Sequence, residues 1–502
     1  MSLALVHSRA QCGVAAPAVR VEVHLSGGLP GMSIVGLPEA AVRESKDRVR
    51  AALLCSQFEF PQRRVTVNLA PADLPKDGGR FDLPIALGIL AASGQLPSAA
   101  LDRYEFFGEL ALTGELRGID GALPAVLAAA RERREVVLPQ ANAAEAGLCA
   151  HPGTWVAGTL LEVCAFLRGE RELTPARFDP QTFAPLALPD LADVRGQGAA
   201  RRALEVAAAG SHHLLFVGPP GSGKTMLASR LPSILPPLSD AEALECAAIA
   251  SISGRGLDLG RWRVPNFRAP HHTASGVALV GGGALPRPGE ISLAHCGVLF
   301  LDELCEWDRR VLDVLREPLE SGHITVSRAA RQAEFPARFQ LVAAMNPCPC
   351  GWVGDPAGRC ACSGEQVARY RGRVSGPLLD RIDLQVEVPR AQAAELRPDA
   401  AAGEASAVVR ERVLAARSLQ AERAGKPNAQ LGQRETEQHC RLSSGDQALL
   451  ERAVDRLQLS ARAYQRILRV ARSIADLAAS ERIQTAHLGE AIGYRRLDRA
   501  SG

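Results

Sequence analysis

Short apolar runs rich in β-branched residues, Val19–Leu25, Val65–Leu69 and Arg134–Leu138, alternate in the first 170 residues with stretches such as Glu39–Leu54 and Leu83–Ala92, whose pattern is helical. That mixture predicts an α/β domain over residues 1–170. Residues 171–189 are rich in proline and have little periodicity, the signature of a linker. A second α/β pattern runs from 190 to 388, built on apolar runs such as Leu214–Val217, Val298–Leu301 and Gln340–Met345 that suit buried parallel strands. Residues 389–502 begin as an Ala- and Glu-rich connector. Further on, Tyr464, Ile467, Leu468, Ala471, Ile474 and Ala478 share one helical face, which predicts a small helical domain at the end of the chain.

The second region carries the chemistry. Leu214–Val217 runs directly into Gly218-Pro219-Pro220-Gly221-Ser222-Gly223-Lys224-Thr225, the G-x-x-x-x-G-K-[ST] phosphate loop. Its glycines let backbone N–H groups turn inward around phosphates, Lys224 places a point charge on them, and the Thr225 hydroxyl suits Mg²⁺. The run Val298–Leu301 ends in Asp302 and Glu303, at the strand end where open α/β sheets bind ligands. Asp302 would hold the Mg²⁺ shell and Glu303 would polarise the attacking water. Gln340–Met345 ends at Asn346, an amide placed either to orient that water or merely to open the turn before Pro347. Together these residues point to an ATPase using ATP and Mg²⁺.

Composition narrows the partners. With 58 basic and 55 acidic residues the formal charge is +3, so the chain is not a polycationic nucleic-acid coat, and any DNA contact must come from local basic features. Only Lys46, Lys76, Lys224 and Lys426 are lysines, which makes the one in the phosphate loop informative. No apolar run is long enough to span a bilayer, and the first residues lack the pattern of a signal peptide; no membrane and a cytoplasmic location are expected. Twelve cysteines in such a chain read as free thiols or metal ligands rather than disulfides.

The motifs in this order resemble the AAA+ ATPases. Phe267-Arg268-Ala269-Pro270-His271-His272-Thr273, Asn346-Pro347-Cys348-Pro349-Cys350-Gly351 and Ser375-Gly376-Pro377-Leu378-Leu379-Asp380-Arg381-Ile382-Asp383 are similar to the magnesium-chelatase-like branch and, along the whole chain, to the YifB/ComM competence proteins. That resemblance implies a homo-oligomeric ring, a hexamer, with DNA branch-migration activity on forked or branched DNA during natural transformation. The same motifs also suit a metal-insertion motor like the magnesium-chelatase ATPase subunit or a protein-remodelling ATPase. In the family pattern Arg381 fits an arginine finger entering the neighbouring subunit's site, with an ion pair to Asp380 or Asp383 as the alternative. Arg462 fits the sensor arginine of the C-terminal lid, and Arg466 is its rival. The alternating segment Gly322–Phe335 predicts a hairpin between the strands bearing Glu303 and Asn346. Related hexameric helicases project such a hairpin into the ring channel, where Arg328 and Arg331 could grip DNA phosphates.

Cys348-x-Cys350 and Cys360-x-Cys362 offer four thiolates that could complete a closed Zn²⁺ site, although C-x-C is tighter than the usual zinc spacing; four reduced thiols are the alternative. Residues 1–170 resemble the Lon-protease-like domain found on this family. In Pro75-Lys76-Asp77-Gly78-Gly79-Arg80-Phe81-Asp82, however, Arg80 and Phe81 stand where the nucleophilic serine would be needed, and Leu116–Arg131 contains no lysine. A serine–lysine dyad needs both members, so the domain is expected to be proteolytically inactive. Lys76 is open to two readings, a phosphate contact or a turn residue.

Overall fold

The computed structural model describes residues 3–495, apart from 185, 284–285, 329–330, 356, 393–394, 396 and 398–400. It is mixed α/β throughout the first two regions and helical in the third.

The first region is an eight-stranded sheet in the order Thr174–Pro175, Thr154–Ala157, Glu135–Pro139, Tyr104–Phe106, Leu3–Arg9, Ala18–Ser26, Arg64–Ala70, Gly31–Val35. Ala18–Ser26 shows why it forms. Val19, Val21, Val23 and Leu25 point into the core and the residues between them face outward, the period-two pattern of a strand with one buried face. Helix Asp82–Ala92 is buried along its whole length against this sheet. Gly88 lets it approach, because a Cβ there would lie 2.5 Å from the Val23 Cγ2. The linker expected from 171 begins later than that. Thr174 pairs with Val156 and Pro175 with Trp155, so the chain adds an edge strand before it leaves the domain. Two residues show no periodicity, and an edge position tolerates proline because no ladder bond is lost.

The second region holds five parallel strands in the order Phe267–Arg268, Val298–Leu301, Gln340–Met345, Leu214–Val217, Leu384–Glu387. All residues of the three central strands are buried, as expected of a parallel sheet covered on both faces. The phosphate loop, the two acids and Asn346 all follow the C-terminal ends of these strands. The hairpin also forms: His323–Arg328 pairs antiparallel with Arg331–Pro336, with Arg328 opposite Arg331. Its tip, residues 329–330, and the side chains of Arg328 and Arg331 lie outside the described part of the structure.

The C-terminal helices close the opposite end of that sheet. Ser406–Ala424 packs on Gly198–Gly210 and Leu231–Ile234, and Ala461–Leu477 lies on Gly198–Gly210 with Ile467, Leu468, Ala471 and Ile474 buried. These residues share one hydrophobic cluster with Leu214, Phe216 and Leu384 of the strands, so the helical region is an extension of the ATPase core. The first domain docks on the other side, where Gly13 sits against Ala333 and Phe335 of the hairpin and the Gly121 N–H donates to the Ser251 carbonyl (3.2 Å). Among the described residues no helix is long and apolar enough to cross a membrane.

Candidate nucleotide-binding and hydrolysis site

The phosphate loop turns back on itself through backbone that favours glycine, with φ of +72° at Gly221 and +90° at Gly223. Gly218 is required for a different reason, since a Cβ there would lie 2.1 Å from the Val388 carbonyl. The Lys224 amine donates to the carbonyls of Gly218 (2.7 Å) and Pro219 (2.9 Å) and to Asn346 Oδ1 (3.2 Å). Burial pushes the Lys224 amine below its ordinary range, while Asp302 and Glu303 act to raise it. The structure therefore brings Asn346 beside the lysine of the phosphate loop, a placement that merely opening the turn before Pro347 would not require.

The Thr225 hydroxyl donates to Asp302 Oδ2 at 2.6 Å. These hard oxygens, adjacent and aimed at one place, fit Mg²⁺. When bound, that ion would neutralise charge on the phosphates; Thr225 and Asp302 are the side chains that would hold it. Asp302 also accepts from the Glu303 N–H (2.9 Å), and its carbonyl takes the Trp307 indole N–H (2.9 Å). Glu303 itself stands in the left-handed region with φ +50°, an uncommon conformation for a side chain of this size and one that clusters at functional sites.

One functional contact was not read from the sequence. His272 Nδ1 lies 2.9 Å from Glu303 Oε2. The histidine follows strand Phe267–Arg268, which pairs with Val298–Leu301, so the two loops leave the sheet side by side. The Phe267–Thr273 stretch carried the signal, but a role for His272 needs the strand order.

The two arginines assigned by resemblance lie elsewhere. Arg381 immediately precedes strand Leu384–Glu387, whose residues pair in register with Leu214–Val217, so it stands at the N-terminal end of the sheet. The phosphate loop begins at the other end, roughly 13 Å of strand away. Arg381 cannot reach its own subunit's phosphates. Its guanidinium is buried, donating to the Pro377 carbonyl (2.6 Å) and to Glu320, and its Nε has no hydrogen-bond partner among the described residues. The anticipated alternative partners were Asp380 and Asp383; the carboxylate it meets is Glu320. Asp383 is taken by Arg466 (2.5 Å) and by the His213 N–H (2.9 Å). Burial raises the Asp383 carboxyl, but Arg466, His212 and His213 outweigh that and hold it well below the usual carboxylate range. Arg466 thus ties the lid helix to the sheet, and Arg462, one turn earlier, is exposed.

In the first domain Lys76 is fully buried and its amine donates to the Pro71 carbonyl, so in this conformation it faces no phosphate. Arg80 is buried too, donating to Gln11 Oε1 (3.0 Å) and the Asp120 carbonyl, and Phe81 is in the core. The segment is structural.

Comparison with known proteins agrees with this layout. The family described as magnesium chelatase, subunit ChlI, matches residues 190–396; subunit ChlI of Mg-chelatase matches 21–142, and the ChlI C-terminal family matches 403–495. Competence protein ComM of Haemophilus influenzae is 54% identical over 99% of this chain and 98% of its own. The chain belongs to the ComM/YifB family of magnesium-chelatase-like AAA+ proteins. The uncharacterized protein YifB of Escherichia coli is 52% identical over 99% of this chain and 98% of its own. The chloroplastic magnesium-chelatase subunit ChlI of Oryza sativa is 30% identical but aligns with 24% of each chain. ComM/YifB proteins therefore align with this one through all three regions, whereas the rice chelatase subunit aligns with about a quarter of it. A nucleotide site of the AAA+ kind follows from the family and from the Lys224, Thr225, Asp302 and Glu303 geometry together.

Proposed function

We propose that the protein is an ATP-driven, ring-forming motor on forked or branched DNA, a helicase that promotes branch migration during natural transformation and homologous recombination. Likeness to ComM over the full length is the observation that carries the competence role. The hairpin His323–Arg328 and Arg331–Pro336 supports the DNA contact, because it stands between the strand bearing Glu303 and the strand ending at Asn346. A change at the nucleotide would reach the hairpin along these two strands, which pair from Val298 and Gln340 to Leu301 and Ala343.

In hydrolysis, the backbone of 218–225 and Lys224 bind the phosphates and fix them in line with a water. Glu303 accepts a proton from that water as its oxygen bonds to the terminal phosphorus, and the bond to the bridging oxygen breaks to release ADP and phosphate. Asn346 orients the water. Arg381 completes the site of the next subunit in the ring; its place at the far end of the sheet supports action in trans, and its fork suits transferring phosphoryl charge. Arg462, exposed near the start of Ala461–Leu477, serves as the lid's sensor arginine.

A metal-insertion motor is the second reading, favoured by the ChlI families that match all three regions. Steady-state ATP turnover with and without forked or Holliday-junction DNA decides. Stimulation by branched DNA, with movement of the junction, is expected; turnover indifferent to every DNA structure would overturn the motor.

A further inference from the structure

Four sulfurs meet beside the phosphate loop. Cys348 Sγ lies 3.4 Å from Cys350 Sγ and 3.8 Å from Cys360 Sγ, and Cys350 Sγ lies 3.6 Å from Cys360 Sγ. With Cys362 Sγ, all four fall within 4.8 Å of one another. These are not disulfide separations. Sulfurs bound at ~2.3 Å to one tetrahedral Zn²⁺ stand about 3.8 Å apart, so the three closest already form one face of that tetrahedron. An iron–sulfur core, with its cysteines on different irons, would spread them further.

The surrounding chain is built to hold the thiolates. The Val353 N–H donates to Cys348 Sγ (3.3 Å), the kind of second contact that orients a metal ligand. Between the two Cys-x-Cys pairs, Arg359 pairs with Asp355 (2.7 Å) and stacks 3.6 Å over the Trp352 ring. Of the four cysteines only Cys348 is fully buried, so residues 347–363 have scant apolar core of their own to fix this shape. A second group, Glu245, His295 and Cys296, also brings ligand atoms together, but the Arg338 guanidinium sits 2.8 Å from the Glu245 carboxylate. That group is a charge network with its own cation, whereas the other is made of four thiols alone.

We infer that Cys348, Cys350, Cys360 and Cys362 hold one zinc ion, which clamps the loop after Asn346 against the phosphate loop and so sets nucleotide affinity. The clamp is direct. Gly351 packs so closely on Pro220 that a Cβ would lie 2.5 Å from its Cδ, and Asn346, which accepts from Lys224, is two residues before the first ligand. Metal therefore fixes both the outer wall of the phosphate loop and the amide beside its lysine. The coupling rests on the nucleotide-site reading above; the metal itself does not.

The test uses the full-length chain and no DNA. Purified protein should carry about one zinc per chain, absent from a Cys360→Ser/Cys362→Ser variant and retained in Cys12→Ser/Cys55→Ser. Because misfolding alone could empty the first variant, wild-type protein refilled with Co²⁺ provides an independent reading: thiolate-to-metal charge transfer and intense tetrahedral d–d bands. Protein with under about a tenth of an equivalent of zinc and no cobalt spectrum overturns the site, as does zinc retained after both serine replacements. Stripping zinc with an organomercurial, followed by thiol recovery, should weaken ADP and ATP binding about tenfold or more, restored by added Zn²⁺. Unchanged nucleotide affinity in stripped protein overturns the clamp.

Discussion

His272 Nδ1 and Glu303 Oε2 lie 2.9 Å apart, joining the end of one strand to the acid at the end of its neighbour. In the hydrolysis proposed above Glu303 is the base, and an imidazole N–H donating to one of its oxygens lowers the basicity of the carboxylate. Glu303→Gln should leave ATP binding within about twofold of wild type and lower turnover by roughly 10²–10⁴. His272→Ala should raise basal turnover severalfold with ATP affinity unchanged, measured as steady-state phosphate release. A tenfold fall instead would make His272 a residue that positions Glu303 for catalysis.

The buried Arg381 guanidinium pairs with the exposed Glu320 carboxylate, a contact that a finger must be able to leave. Arg381→Ala should abolish turnover, and mixing it with Lys224→Ala subunits should restore part of it, since some interfaces then contain both intact elements. Glu320→Gln separates the two roles: an arginine acting on the neighbour keeps at least half its turnover, whereas a structural pair is lost equally from either side. Failure of mixing in rings shown to exchange subunits would assign Arg381 to the pair with Glu320.

The hairpin places Arg328 directly opposite Arg331 in register. Replacing both with alanine should weaken DNA binding alike across sequences and lower the salt slope of log K by about 2, close to one released counterion for each phosphate no longer neutralised. Basal turnover should survive while DNA stimulation and junction movement fall together. A double variant with an unchanged salt slope would remove the hairpin from the DNA path.

Asp383 predicts a pH signature. Its folded carboxyl titrates well below its unfolded value, so the stability it supplies is present above about pH 4 and is lost as pH falls through the folded value. Asp383→Asn leaves Arg466 without its carboxylate and should cost on the order of 3 kcal/mol near neutrality. Denaturant midpoints of wild type and variant should converge in strong acid. A constant gap down to pH 2 would show that shape rather than charge sets the cost.

Elements whose signal is local are legible in the sequence. Leu214–Val217 followed by the glycine loop, and Val298–Leu301 followed by Asp302 and Glu303, are contiguous words, because a buried parallel strand is an unbroken apolar run and a phosphate loop needs its glycines in order. The strands around Val21 and Val67 and the helices over 40–55 and 82–92 were visible for the same reason. What depends on parallel neighbours brought together from distant positions emerges only when the chain folds. His272 gains a role because Phe267–Arg268 lies next to Val298–Leu301, and Lys76 loses one because the fold buries its amine. The edge strand Thr174–Pro175 is too short for a period, and its partner lies some twenty residues back. Arg381 matched a motif, but its distance from its own phosphates follows from the direction of Leu384–Glu387, and its carboxylate is Glu320 because that side chain converges on it in space. Cysteine spacing alone left metal and free thiols open; the approach of three sulfurs to 3.4–3.8 Å is a property of the folded loop, which no count of intervening residues contains.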